Sequence, residues 1–149
     1  QEIKELSEKA IDGIRIYVTV DTLKYLKNSG RITPAAAVLG GLLNIKPILS
    51  LGSGKLDAFK KCRGLHKAKK EMFEALRKDI EENFKEEYEN GKLQILAACS
   101  GSSKEEMDAW TKEVEEAFPG HSVINDPITL VISCHTGPGV LGVGCSLNF

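Results

Sequence analysis

A mixed α/β fold of α+β character is predicted: two layers, with a mixed, partly antiparallel sheet covered by helices, mainly on one face. Three observations predict it. Alternating β-branched and apolar stretches alternate along the chain with segments of helical periodicity. A Gly-Ser-Gly connection at 52–54 joins two strand-like runs tightly enough to make them antiparallel. No internal repeat, low-complexity tract or linker divides the 149 residues, and 42% hydrophobic content suffices for one core, so residues 1–149 are read as one domain.

Ile3, Leu6, Ala10 and Ile11 recur at helical spacing and Gly13 sits where a C-cap would end that helix. Residues 14–20 read as a strand, and Asp21 or Thr22 as the N-cap of a short helix from Leu23 to Asn28. Ser29-Gly30 breaks it. Thr33-Pro34 supplies a cap and a proline at the first helical position, opening a helix over Ala35 to Leu43. Asn44 to Leu51 and Lys55 to Cys62 form the predicted hairpin.

From Leu65 to Tyr88, strong helix formers carry an apolar stripe through Leu65, Ala68, Met72, Phe73, Leu76, Ile80 and Phe84, and Asn90-Gly91 closes the helix. Leu93 to Cys99 is a short buried-type strand. Ser102-Ser103 caps a helix from Lys104 to Phe118, with Glu105 and Glu106 in its first turn, and Pro119-Gly120 ends it. His121 to Asn125, Ile128 to Cys134 and Val140 to Leu147 are predicted as the remaining strands.

Composition narrows the function classes. With 20 Lys+Arg against 21 Asp+Glu the formal charge is −1, so no global field steers the chain to nucleic acid. No apolar run approaches the roughly 18 to 20 residues of a membrane span, so stable membrane insertion is not expected. Cys62, Cys99, Cys134 and Cys145 show no CxxC spacing and read as structural thiols, which suits a reducing cytoplasm, with no metal implied. The N-terminus lacks an initiator Met and a secretion signal and reads as cut from a longer protein.

Three segments are candidates for chemistry. In Ser133-Cys134-His135-Thr136-Gly137-Pro138-Gly139, His135 and Thr136 offer donors to a carboxylate or phosphate, and Gly137 and Gly139 would let N–H groups face the anion. The bland alternative is a Gly-Pro-Gly turn with an incidental His. In Asn28 to Pro34, Arg31 precedes a helix N-terminus that favours negative charge; otherwise it is a surface Arg in a turn. The basic run Lys60 to Lys70, with Arg63 at its centre, would dock an anion or an acidic partner, or consist of solvated lysines. HExxH, Walker A and GxSxG patterns are absent.

Read in order, Tyr25-Leu26-Lys27-Asn28-Ser29-Gly30-Arg31-Ile32, Leu42-Leu43-Asn44-Ile45-Lys46-Pro47-Ile48, Gly54-Lys55-Leu56, Lys61-Cys62-Arg63-Gly64 and His135-Thr136-Gly137-Pro138-Gly139 closely resemble the C-terminal half of bacterial DegV proteins. That resemblance covers nearly the whole chain and implies a DegV C-terminal domain fold, with the family's N-terminal α/β domain absent from this chain. It implies a non-catalytic lipid carrier without a cofactor. The ligand would be a long-chain fatty acid, held with its tail in an apolar tunnel and its carboxylate at the interface with the chain's own N-terminal domain. The carboxylate would be presented to a separate fatty acid kinase, feeding phospholipid synthesis. His135 matches the family's carboxylate-binding histidine, with Thr136, Gly137 and Arg31 beside it, while Arg63 and Arg31 match basic positions near the ligand or on the kinase-facing surface. Ser133-Cys134 stands where the family commonly has Gly-Thr, a small-for-small change.

Leu39, Leu42, Leu43, Ile45, Ile48 and Leu49 are expected to line the tunnel, and an apolar interface is expected to be left exposed without the N-terminal partner. A second class, a small-molecule or phosphoryl-transfer enzyme related to dihydroxyacetone kinase, would use His135 as general base or nucleophile. A third, a protein-interaction domain acting through Arg31 or Arg63, is compatible with the first.

Overall fold

The computed structural model describes residues 4, 11–38, 45–52 and 55–148. Among them, six strands form one open sheet in the order β3-β2-β1-β6-β4-β5. The strands are β1 Arg15–Thr19, β2 Ile45–Gly52, β3 Lys55–Arg63, β4 Leu93–Ser100, β5 Val123–Pro127 and β6 Val140–Leu147. All neighbours are antiparallel except β4 and β5. The helices are α1 Lys24–Ser29, α2 Pro34–Ala37, α3 Leu65–Asn83, α4 Lys85–Glu89, α5 Lys104–Ala117 and α6 Leu130–Thr136. A parallel pair requires a crossover, and α5 provides it between β4 and β5.

Local chemistry accounts for most boundaries. Thr33 caps α2 by accepting from the Ala36 amide, with Pro34 at the first position. Ser103 and Glu106 form a reciprocal capping box on α5. Ile11 and Asp12 are helical and Gly13 ends that stretch; the rest of the expected first helix, and Leu39 to Leu43 of the expected second, lie outside the described residues. At α1, Leu23 rather than Asp21 or Thr22 occupies the N-cap, although the Thr22 hydroxyl accepts from the Lys24 amide. The helix expected over Leu65 to Tyr88 is broken at Phe84, whose backbone leaves helical geometry while its ring enters the core.

The larger correction concerns Ile128 to Cys134, which forms no strand: Leu130–Thr136 is helix α6. Its β-branched residues resemble a strand locally, but the helix is held by backbone bonds from Ser133 and Ile132 to the Thr129 carbonyl, and by the Ser133 hydroxyl donating to that of Ile128. As a helix it leaves Leu130 and Val131 79% and 74% exposed, respectively.

Period-two alternation gives the sheet two apolar faces. On one, Tyr17, Leu93, Ile95, Ala97, Val143 and Cys145 pack under α3 and α5, whose Met72, Leu76, Trp110, Val114 and Phe118 complete the main core. Tyr17 donates a 2.6 Å hydrogen bond to Asp79 of α3, and burial beside that carboxylate pushes its phenol well above the usual range. On the other face, Val18, Val20, Leu49 and Val140 form a smaller cluster with Leu23, Leu26, Ile32 and Ala36.

Three of the cysteines are buried and Cys134 is exposed; all four are free thiols, and burial pushes Cys145 up to about 11. Much of the basic run is paired: Lys60 with Glu71, Lys69 with Glu113 and Lys70 with Glu74. Among the described residues, no helix is long and apolar enough to cross a membrane.

In this chain Leu76→Ala is expected to lower unfolding free energy by about 2–5 kcal/mol, whereas Val131→Ser should stay within about 0.5 kcal/mol; chemical denaturation measures both. Native-state thiol titration with a disulfide reagent should find Cys134 reacting at once and the other three only on unfolding. Fast reaction of Cys145 would place it outside the core.

Candidate functional site

The second sheet face carries an apolar trough of about 410 Å³, inside the roughly 300–1,000 Å³ usual for small-molecule sites. Its floor is β6, which presents Val140, Gly142 and Gly144 on this side. Strand register sets Gly142 between Val18 and Ala98, and Gly144 between Ile16 and Leu96. Leu51 and Leu56 wall the trough on the side of the hairpin, and Ile128, Ile132 and Thr136 on the side of α6. Such a space accepts an elongated apolar molecule, each buried methylene contributing about 0.8 kcal/mol.

The head-group residues expected from the sequence lie on α6 and the loop after it; of these Thr136 lines the trough and His135 does not. Thr136 is 7% exposed and its hydroxyl donates to the Ile132 carbonyl at 3.3 Å. His135, half-buried in the last turn of α6, has no hydrogen bond orienting its ring among the described residues.

Ser100 at the end of β4 pins the loop: its hydroxyl donates to the Gly137 carbonyl at 2.6 Å and accepts from the Val140 amide at 3.3 Å, while its carbonyl accepts from Gly139 at 2.9 Å. This corrects one expectation. The amides of Gly137 and Gly139 do not face an anion, because they donate to Ser133 and Ser100 respectively. What Gly137 contributes is space: its φ is +80°, and a Cβ there would meet the Tyr25 ring at 2.4 Å.

Arg31 and Arg63 are both exposed but do not converge. The Arg31 carbonyl accepts from the amide of Leu56, a wall of the trough. Arg63 ends the same strand seven residues on, roughly 23 Å away at about 3.3 Å per residue. It pairs across to Ile45, beside Lys46, whose ammonium binds Asp21 against Gly139. Arg63 thus shares an end of the sheet with the His135 loop, and Arg31 stands farther along. The helix after Arg31 is one turn long, and its Ala36 amide is already taken by Thr33, so little dipole is left for an anion.

Of the expected tunnel residues, Leu39, Leu42 and Leu43 lie outside the described residues. Ile48 is corrected: it packs beneath α3 in the main core. Leu49 is buried in the second cluster, and Ile45, half-buried, does not line the trough. The actual lining comes from Ile16, Val18, Leu51, Leu56, Leu96 and Ile132. The overlooked signal was β6 itself, where glycine alternates with large residues. Among the described residues, no group of His, Cys, Asp or Glu is arranged to hold a metal.

A sequence profile of the family described as "Uncharacterised protein, DegV family" matches residues 1–148. A DegV domain-containing protein of Clostridium perfringens is 35% identical over 128 residues, covering 85% of this chain and 41% of that protein. Among solved structures, a fat acid (stearic acid)-binding protein from Eubacterium ventriosum superposes with a TM-score of 0.81 at 28% identity, over 99% of this chain and 50% of that one. DegV, a fatty acid binding protein from Bacillus subtilis, superposes at 0.73 with 29% identity, over 98% and 49%. The chain spans about half the length of the relatives it matches.

Ser100→Ala is expected to leave the Gly137 carbonyl and Val140 amide without this partner, costing about 1–3 kcal/mol and speeding hydrogen exchange at Gly139 and Val140. Unchanged exchange would mean that the loop is held by other contacts.

Proposed function

This chain belongs to the DegV family, and from that premise we propose that it binds a long-chain fatty acid, with the acyl tail in the trough and the carboxylate at Thr136 and His135. The observation that carries the reading is the apolar trough of about 410 Å³ with the nearly buried Thr136 in its lining; His135, the next residue back on the same helix, is the proposed second partner of the carboxylate, because a long apolar molecule with a single polar end requires such partners. The stearic acid-binding protein from Eubacterium ventriosum and the fatty acid-binding DegV of Bacillus subtilis share the fold at 28% and 29% identity and support it. The protein acts as a carrier without a cofactor, in the cytoplasm.

The exposed Leu130 and Val131 on α6 are the surface we assign to the rest of the full natural polypeptide, since relatives are about twice as long. That added domain completes the carboxylate site. A separate fatty acid kinase phosphorylates the presented carboxylate for phospholipid synthesis, and Arg63, which makes no ion pair among the described residues, is its docking residue. Arg31, beside Leu56, serves the rim of the trough.

Mass spectrometry of lipid copurifying with the full natural polypeptide is expected to find about one fatty acid per chain. His135→Ala and Thr136→Val should each weaken retention by tenfold or more, as loss of a hydrogen bond to a charged group of about 1.5–3 kcal/mol implies. Arg63→Glu should leave lipid content unchanged while slowing phosphorylation by the kinase. Wild-type protein that neither copurifies with nor takes up fatty acid would overturn the reading.

A further inference from the structure

Two glycines occupy successive trough-facing positions of β6, a strand paired on both sides. Glycine within a strand sacrifices about 0.5–1 kcal/mol relative to alanine, so each position needs a reason. Gly144 has one within the fold: a Cβ there would lie 2.5 Å from the Arg15 carbonyl oxygen. Gly142 has none. A Cβ there would meet only ordinary contacts, 3.4 Å from Val18 and 3.8 Å or more from Ala98, and its φ is not positive. The protein therefore has room for a side chain at 142 and lacks one, and the space left open is the trough. From the other face the Trp110 indole donates to the Gly142 carbonyl at 3.0 Å, so the floor at this point is held from beneath. Glycine in a strand interior marks a bulge, a tight bend or a close approach by a ligand or another backbone; β6 runs in unbroken register with β1 and β4 through 142, and no backbone comes nearer than 3.8 Å to the Cβ position, which leaves the ligand.

The geometry points to Gly142 as the specificity-determining residue for chain length. Bare backbone between Val18 and Ala98 lets an unbranched acyl chain pass from the Thr136 end toward Gly144, Ile16 and Leu96, and a side chain there would block passage to the far half. This rests on the fatty-acid reading and extends it to a single position.

The test titrates saturated fatty acids from hexanoate to stearate against the full natural polypeptide, delipidated, as wild type, Gly142→Ala and Gly142→Leu, with thermal unfolding followed in parallel. Each methylene displaced should weaken binding about fourfold. Stearate is expected to weaken about fourfold in Gly142→Ala and fiftyfold or more in Gly142→Leu, with losses shrinking as the chain shortens, so that the preferred length falls. Equal loss at every length, or wild-type stearate affinity in a folded Gly142→Leu protein, would overturn the assignment. Should Gly142→Leu fail to fold, Gly142→Ala, whose methyl fits in ordinary contact, decides alone by the same length dependence. A wild type that binds none of the series brings down the fatty-acid reading itself, a result distinct from wild-type binding that the variants leave unchanged.

Discussion

The central strand β6 has to satisfy both of its edges and both of its faces at once, and the rest of the domain is arranged around that constraint. Its backbone is paired to β1 on one side and β4 on the other, so its register cannot drift. Val143 and Cys145 go into the core under α3 and α5, while Val140, Gly142 and Gly144 face the trough. A slip of one residue would exchange the faces, emptying the core at its centre and filling the channel with side chains. The Trp110 hydrogen bond to Gly142 joins the packed face to the open one.

The polar end depends on the same strand. Ser100, level with Val140 across the β4–β6 ladder, gathers the backbone of the preceding loop through its hydroxyl and carbonyl. The loop in turn places Gly137 against Tyr25 and Gly139 against Asp21, so α6 is seated beside α1. Thr136 thereby reaches the trough wall while Leu130 and Val131 point to solvent. A helix with that much exposed apolar surface is unusual on a monomer, and it adjoins the groups that would hold a head group.

Features carried by contiguous residues were legible in the sequence. The capping box at Ser103 and Glu106, the Thr33-Pro34 helix start, the 45–63 hairpin and the apolar stripe of α3 each depend on neighbours within a turn or a tight connection. The candidate segment from His135 to Gly139 stood out for the same reason, its residues being adjacent in the chain. Legibility failed where distant contacts outvote local preference. Ile128 to Cys134 has strand-like residues, yet its place over the end of the sheet makes a helix of it. Ile48 and Leu49 look equivalent in a list of apolar residues, but successive strand positions point to opposite faces, and only one of the two faces contains the trough.

By itself the sequence determined the class of fold, the family resemblance, most element boundaries and the candidate head-group residues, all of which follow from short-range periodicity, caps and motif order. Tertiary structure alone decided that the glycine amides are consumed within the loop, that Arg31 sits beside Leu56 while Arg63 stands at the far end of the strand that Leu56 belongs to, and that Gly142 lies bare on the floor of a channel. The physical reason is that cross-strand register and the partners of buried polar groups depend on residues far apart in the chain, and no local pattern encodes which of them meet.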